Sequence, residues 1–184
     1  MAFGVREFEL ALMRRMRDVN AQKVEEALGR AGASRAELRE AHAHWTRLSH
    51  APRAPKGAAA LRMALGPPPF RGLRPAGSLT CDVLRWPLPS WPGLEYEALV
   101  GPGGELWNQW FVRPSGPVTL GFAGLVPWAC VVADVAASFP GAVQIDGPAP
   151  HHWTIDFPHG GRTHRARFVY GLFQRLDRAP SGPD

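Results

Sequence analysis

Three consecutive prolines, Pro67, Pro68 and Pro69, interrupt this chain, and neither a helix nor a central strand can run through them. The apolar residues on the two sides repeat at different periods. Before the prolines, Val5, Phe8, Leu12, Met16, Val19, Val24 and Leu28 follow one another at steps of three, four or five, which lines one face of a helix. After them, apolar and polar residues alternate in short runs bounded by Gly and Pro, the pattern of strands and tight turns. The chain is therefore expected to be α+β, with an N-terminal helical segment of two or three helices followed by an antiparallel sheet packed on one buried helix.

The punctuation gives provisional boundaries. Gly29 and Gly32 are expected to stop the first helix, which begins near Val5, and Ser34 with Glu37 three residues later forms a capping box for a second helix reaching about Leu48. Pro52 and Pro55 break that pattern, and Gly57 to Leu65 reads as a short third helix. Residues 1–66 are expected to be a basic helical segment, 67–78 a Pro/Gly-rich linker, 79–178 the antiparallel-sheet domain and 179–184 a flexible tail. Strands are expected at Leu79 to Trp86, Leu94 to Val100, Glu105 to Arg113, Val118 to Phe122, Ala142 to Asp146, His152 to Phe157 and Thr163 to Leu176. Trp128 to Phe139, apolar on almost every side and preceded by Pro127, reads as the buried helix.

Charge divides the chain at the same place. Residues 1–66 hold twelve Lys or Arg against seven Asp or Glu, whereas the remainder holds nine of each, so the whole formal charge of +5 belongs to the helical segment. A sequence pI near 10.0 suits a polyanionic partner, because Lys and Arg release counterions condensed on a phosphate backbone. The apolar runs are all shorter than the roughly 20 residues a membrane helix needs; the longest, Leu125 to Phe139, carries Asp134. The first ten residues mix charged with apolar side chains and show no secretory h-region, so a cytoplasmic location is expected. Cys81 and Cys130 stand far apart with no CxxC pattern, as small buried hydrophobes do in a reducing compartment.

Few residues form a pattern that carries chemistry. His151, His152, His159 and His164 cluster around the last hairpin, where Asp156 would orient a general base, but no nucleophile and no zinc-ligand spacing accompanies them. Gly101, Gly103 and Gly104 lie between two strands, where a hairpin needs them, rather than leading into a helix as a phosphate loop does. Neither a metal nor a cofactor is expected, and a non-enzymatic role is favoured. Val24 to Leu48 has the order of a helix-turn-helix with Arg35, Arg39 and Arg47 along its second helix, yet Gly29 to Ala33 makes the turn about five residues long and Arg35 stands where that motif has an apolar residue, so an ordinary αα-hairpin explains the segment as well.

The preferred expectation is non-enzymatic nucleic-acid binding, with Arg14, Arg15, Arg17, Arg35 and Arg39 in the helical segment and Arg162, Arg165 and Arg167 on the last strand as phosphate contacts. On that strand Arg165 and Arg167 share one pleat face while Phe168 and Tyr170 share the other. The alternative is a protein-interaction module in which the amphipathic Val5 to Leu28 stripe pairs with a partner or with a second copy of the chain. An enzyme built on the C-terminal histidines, hydrolase-like in character, ranks third.

Overall fold

The structure, a computed structural model, describes residues 3–147 and 149–179. The chain folds into two compact units, one ending at Gln109 and one beginning at Trp110. The first contains α1 (Val5–Met16), α2 (Ala21–Ala31), α3 (Arg35–His50) and α4 (Gly57–Leu65), then β1 (Phe70–Ala76), β2 (Leu79–Pro87), β3 (Glu95–Val100) and β4 (Leu106–Val112), with the chain passing into the second unit within β4. Its four strands lie side by side in chain order. The second unit contains a 3-10 turn (Phe122–Gly124), α5 (Val132–Ser138), β5 (Val143–Asp146), β6 (His152–His159), β7 (Arg162–Val169) and β8 (Leu172–Arg178), again with the strands in chain order. The α+β class and the order of helices before sheet are those implied by the period change. Among the described residues, the helices before the first sheet number four, and the strands form two sheets of four.

In the first unit the apolar stripe of α1 becomes core. Phe8, Leu12, Met13 and Met16 are buried, and the Phe8 ring meets Trp45 of α3 edge-on at 5.1 Å and Tyr96 of β3 at 5.3 Å. Val24 and Leu28 of α2 are buried as well. Most of the stripe is thus buried inside its own unit. It spans two helices because the Asn20 side chain accepts a bond from the Lys23 N–H and starts a new helix; the five-residue step from Val19 to Val24 marks that break.

Other expected elements also come out differently. Residues 67–78 are not a linker throughout, since β1 pairs antiparallel with β2 along its length, from Phe70 opposite Arg85 to Ala76 opposite Leu79. Pro75 is tolerated there because β1 is an edge strand. The long buried helix is only seven residues, and Ala133, Ala136 and Ala137 on it are exposed, while Val131 instead bridges Leu172. Trp128, expected inside that helix, has φ +67 and donates its backbone N–H to the Phe173 carbonyl, so the chain there runs against β8. Val118 to Phe122 forms no strand; the Val118 N–H is taken by the Asp134 carboxylate.

Thr163 to Leu176, expected as one strand, is a hairpin of β7 and β8 turning at Tyr170 and Gly171. Both turn residues have positive φ, +51 and +71, a conformation that a bulky residue adopts only under constraint. The constraint is visible: the Tyr170 N–H donates to the His151 carbonyl at 2.7 Å, its own carbonyl accepts from Phe111 at 2.7 Å, and its ring stacks on His151 at 4.6 Å. Of the expected tail, residues 180–184 lie outside the described residues.

Candidate functional site

The connection between α2 and α3 is shorter than the glycines imply. Gly29 lies inside α2, which runs on to Ala31, and the helix ends at Gly32 in the left-handed conformation at φ +57. The Ala33 N–H closes the end by donating to the Leu28 carbonyl at 2.9 Å, the wrapped ending that a glycine at this position permits. Ser34 then caps α3: its side chain accepts from the Glu37 N–H at 3.2 Å, and its own N–H donates to the Glu37 carboxylate at 2.8 Å. Only Gly32, Ala33 and Ser34 separate the two helices, so the five-residue turn expected from Gly29 onward is corrected to three.

Helix α3 is buried on the side of Leu38 and Ala41 and exposed at Arg35, Ala36, Arg39, Glu40, Ala43, Arg47 and His50. Arg35 binds the Glu25 carboxylate of α2 at 2.9 Å, and Glu25 also receives Arg17 at 3.3 Å. Glu37 is occupied by the Ser34 backbone N–H and by Arg6 at 2.9 Å, contacts that hold its carboxyl down at about 2. Arg39 and Arg47 have no carboxylate within ion-pair distance among the described residues, and the same holds for the exposed Arg30, Arg53 and Arg62. At the far end of α3, the Lys56 ammonium donates to the carbonyls of Ser49 at 2.6 Å and Ala51 at 2.7 Å, a cation where the helix dipole favours one.

The other expected arginines are mostly engaged. Arg14 pairs with Asp18 one turn along, at 2.9 Å, and Arg15 lies half-buried on α1, where with Arg14 it adds to burial in lowering the basicity of His42. Arg165 binds Asp156 through two bonds of 2.7 and 2.6 Å, and Arg167 pairs with Asp177. Arg162 is exposed at the start of β7 and forms no ion pair. Phe168, on the face opposite Arg165 and Arg167, is packed with Ile155, Phe157 and Phe173 in the core of the second unit. Arginines and aromatics on this strand are therefore not assembled into a common base-stacking surface.

In the second unit, Asp156 is paired with an arginine rather than a histidine. Asp156 is used by Arg165, and although His152 and His164 lie on paired strands, His152 faces Val169 in register and His164 faces Phe157. His159 stacks flat on Phe122 at 4.4 Å, and no group of three or more metal-ligating side chains is present among the described residues.

What the sequence reading missed are three buried carboxylates. Glu97 on β3 is fully buried between Arg74 and Arg85, at 2.7 Å from each. Asp134 accepts from Arg113 at 2.9 Å, from the Val118 N–H at 2.9 Å and from the Val131 N–H at 3.1 Å. Glu9 accepts the backbone and hydroxyl of Ser90, both at 2.8 Å, and its burial raises its carboxyl above the ordinary range. The one local sign of them was the wrong period: Glu9 and Asp134 interrupt apolar runs at positions that should face a core.

No protein-family model matches the chain, and no curated protein matches it. Among solved structures it is similar to one described as "putative beta-lactamase inhibitor protein" from Streptococcus mutans, with 12% identity and a TM-score of 0.30 over 71% of this chain and 86% of that one. A likeness this distant carries no argument about fold or function. Among the described residues, no helix is long and apolar enough to cross a membrane.

Proposed function

We propose that this chain is a non-enzymatic nucleic-acid-binding protein whose contact surface lies on its helical segment. One observation carries the reading: on α3 the outward face presents Arg39 and Arg47 without carboxylate partners among the described residues, and the acids nearest its start, Glu25 and Glu37, are already neutralised by Arg17, Arg35 and Arg6. Unpaired guanidinium groups on a solvated helix keep their full attraction for phosphate, whereas an arginine held by a carboxylate has to give up that partner first. Of the residues expected from sequence, Arg39 and Arg162 form no ion pair among the described residues, whereas Arg14, Arg17, Arg35, Arg165 and Arg167 are held by carboxylates.

The test is a binding series of the full chain against labelled DNA and RNA between about 20 and 200 mM salt. Binding should weaken linearly on a log–log plot, with a slope of roughly one unit per phosphate contacted. Absence of binding to every nucleic acid at the lowest salt refutes the proposal.

A further inference from the structure

Resting on that reading, we infer that the nucleic acid is duplex DNA and that α3 is the element that enters its major groove. The three-residue turn with a left-handed glycine has the length that a helix-turn-helix uses, a length an αα-hairpin shares; in a helix-turn-helix the second helix lies in the groove and its N-terminal part reaches the bases. Here that part is solvent-facing: Arg35, Ala36, Arg39, Glu40 and Ala43 are all exposed. From behind, α3 is supported by α1 through the edge-on contact of Phe8 with Trp45, and the Glu25 carboxylate ties its first residue to α2. The face is thus backed by α1 and tied to α2.

Dimensions select the duplex. A helix is about 10–12 Å across with its side chains, which fits the roughly 12 Å major groove of B-form DNA; the major groove of an RNA duplex is too deep and narrow for a helix to read. Arg39 and Arg47 are two turns apart, about 12 Å along the axis, a span of three to four base pairs at roughly 3.4 Å each. Ala36 and Ala43 beside them leave the backbone close to whatever occupies the face, and alanine is an apolar partner for a thymine methyl group. Glu40, exposed on the flank, is the one acid on this face, and a carboxylate in the groove accepts from the cytosine amino group.

Fluorescence anisotropy with a 25-base-pair DNA duplex, a single DNA strand of equal length and the corresponding RNA duplex tests the assignment on the full chain. The DNA duplex should bind best, and the double variant Arg39→Ala/Arg47→Ala should weaken it by about tenfold or more and reduce the salt slope by roughly two. Ala43→Glu, a helix-compatible change at an exposed position, should weaken it comparably while circular dichroism and melting stay as in the wild type. If the wild type prefers single strands or RNA, or if both variants bind duplex DNA as well as the wild type does, the major-groove assignment is overturned while nucleic-acid binding stands. Absence of any binding overturns both.

Discussion

The two units build their sheets in the same way and cover them differently. Each sheet is a four-stranded meander, yet the first unit has four helices and a helix–sheet core of Phe8, Trp86, Trp91 and Tyr96, whereas the second has one seven-residue helix and a long irregular segment from Arg113 to Val131. Irregular backbone cannot satisfy its own polar groups. The second unit therefore relies on a carboxylate: Asp134 sits at the start of α5 and collects the Val118 and Val131 N–H groups and the Arg113 guanidinium, while the Ser138 hydroxyl accepts from the Leu120 N–H. Leu120, Phe122 and Leu125 then lie against the cluster of Ile155, Phe157 and Phe168. Apolar helix packing holds one cover and a buried charge holds the other.

The largest expected effect lies in the helical cover. Phe8→Ala removes a fully buried ring that touches two other rings, and should lower stability by about 3–5 kcal/mol in urea unfolding. A loss below about 1 kcal/mol would mean that the first unit is not held by this packing. Next comes Asp134→Ala, which takes the carboxylate from Arg113 and strands two backbone N–H groups and should cost about 3 kcal/mol, with Asp134→Asn, still able to accept a bond, intermediate. Were Asp134→Ala nearly neutral, the irregular cover would be held by its apolar side chains alone and the contrast between the units would disappear.

The turns sharpen the comparison at a smaller scale. Gly77, between β1 and β2, has φ +63 and open space around a would-be Cβ, so Gly77→Ala should cost about 1 kcal/mol from backbone strain. Gly171, between β7 and β8, has φ +71 and would place a Cβ 3.0 Å from that of Trp110 and 3.3 Å from the Phe111 carbonyl oxygen; Gly171→Ala should cost more, about 2 kcal/mol. Equal losses at the two turns would show that the crowding at Gly171 relaxes freely.

The smallest effect is a pH dependence in the first unit. Burial raises the Glu9 carboxyl above its ordinary value of 4.5 in spite of two bonds from Ser90, so folding favours its protonated form. Its contribution to stability is complete below about pH 4.5 and is lost as pH rises through the higher folded value. Glu9→Gln should abolish that slope, and melting at pH 4.5 and 7.5 should show the variant gaining on the wild type at the higher pH. A difference that stays constant between those two values would place the Glu9 carboxylate in contact with solvent.

Local pattern was enough to place α3, because Ser34 and Glu37 act on each other within one turn, and to place β6, where Trp153, Ile155 and Phe157 alternate with polar residues. It was not enough for β1, whose Pro75 imitates a linker, or for the β7–β8 turn, where Tyr170 occupies a position that short-range preferences assign to Asn or Gly. The candidate arginines were legible as residues and not as a surface. Arg165 and Arg39 are alike in the sequence, and only the strand register that sets Asp156 opposite Arg165 distinguishes a neutralised guanidinium from a free one.

By itself the sequence determined the α+β class and the order of helices before sheet, which follow from the periods of neighbouring residues, and it places the whole net positive charge before the prolines; the division into two units falls instead between Gln109 and Trp110. Tertiary structure decided which charges remain available. Ion pairs such as Glu97 with Arg74 and Arg85, or Glu25 with Arg17 and Arg35, join residues eight to twenty-three positions apart. Tertiary structure also shortened the turn before α3, because Gly29, a helix breaker by local preference, stays helical where α2 is anchored by the burial of Val24, Ala27 and Leu28. A weak local preference of about 1 kcal/mol yields to the burial of several side chains at once, and that balance cannot be read from neighbours in the sequence.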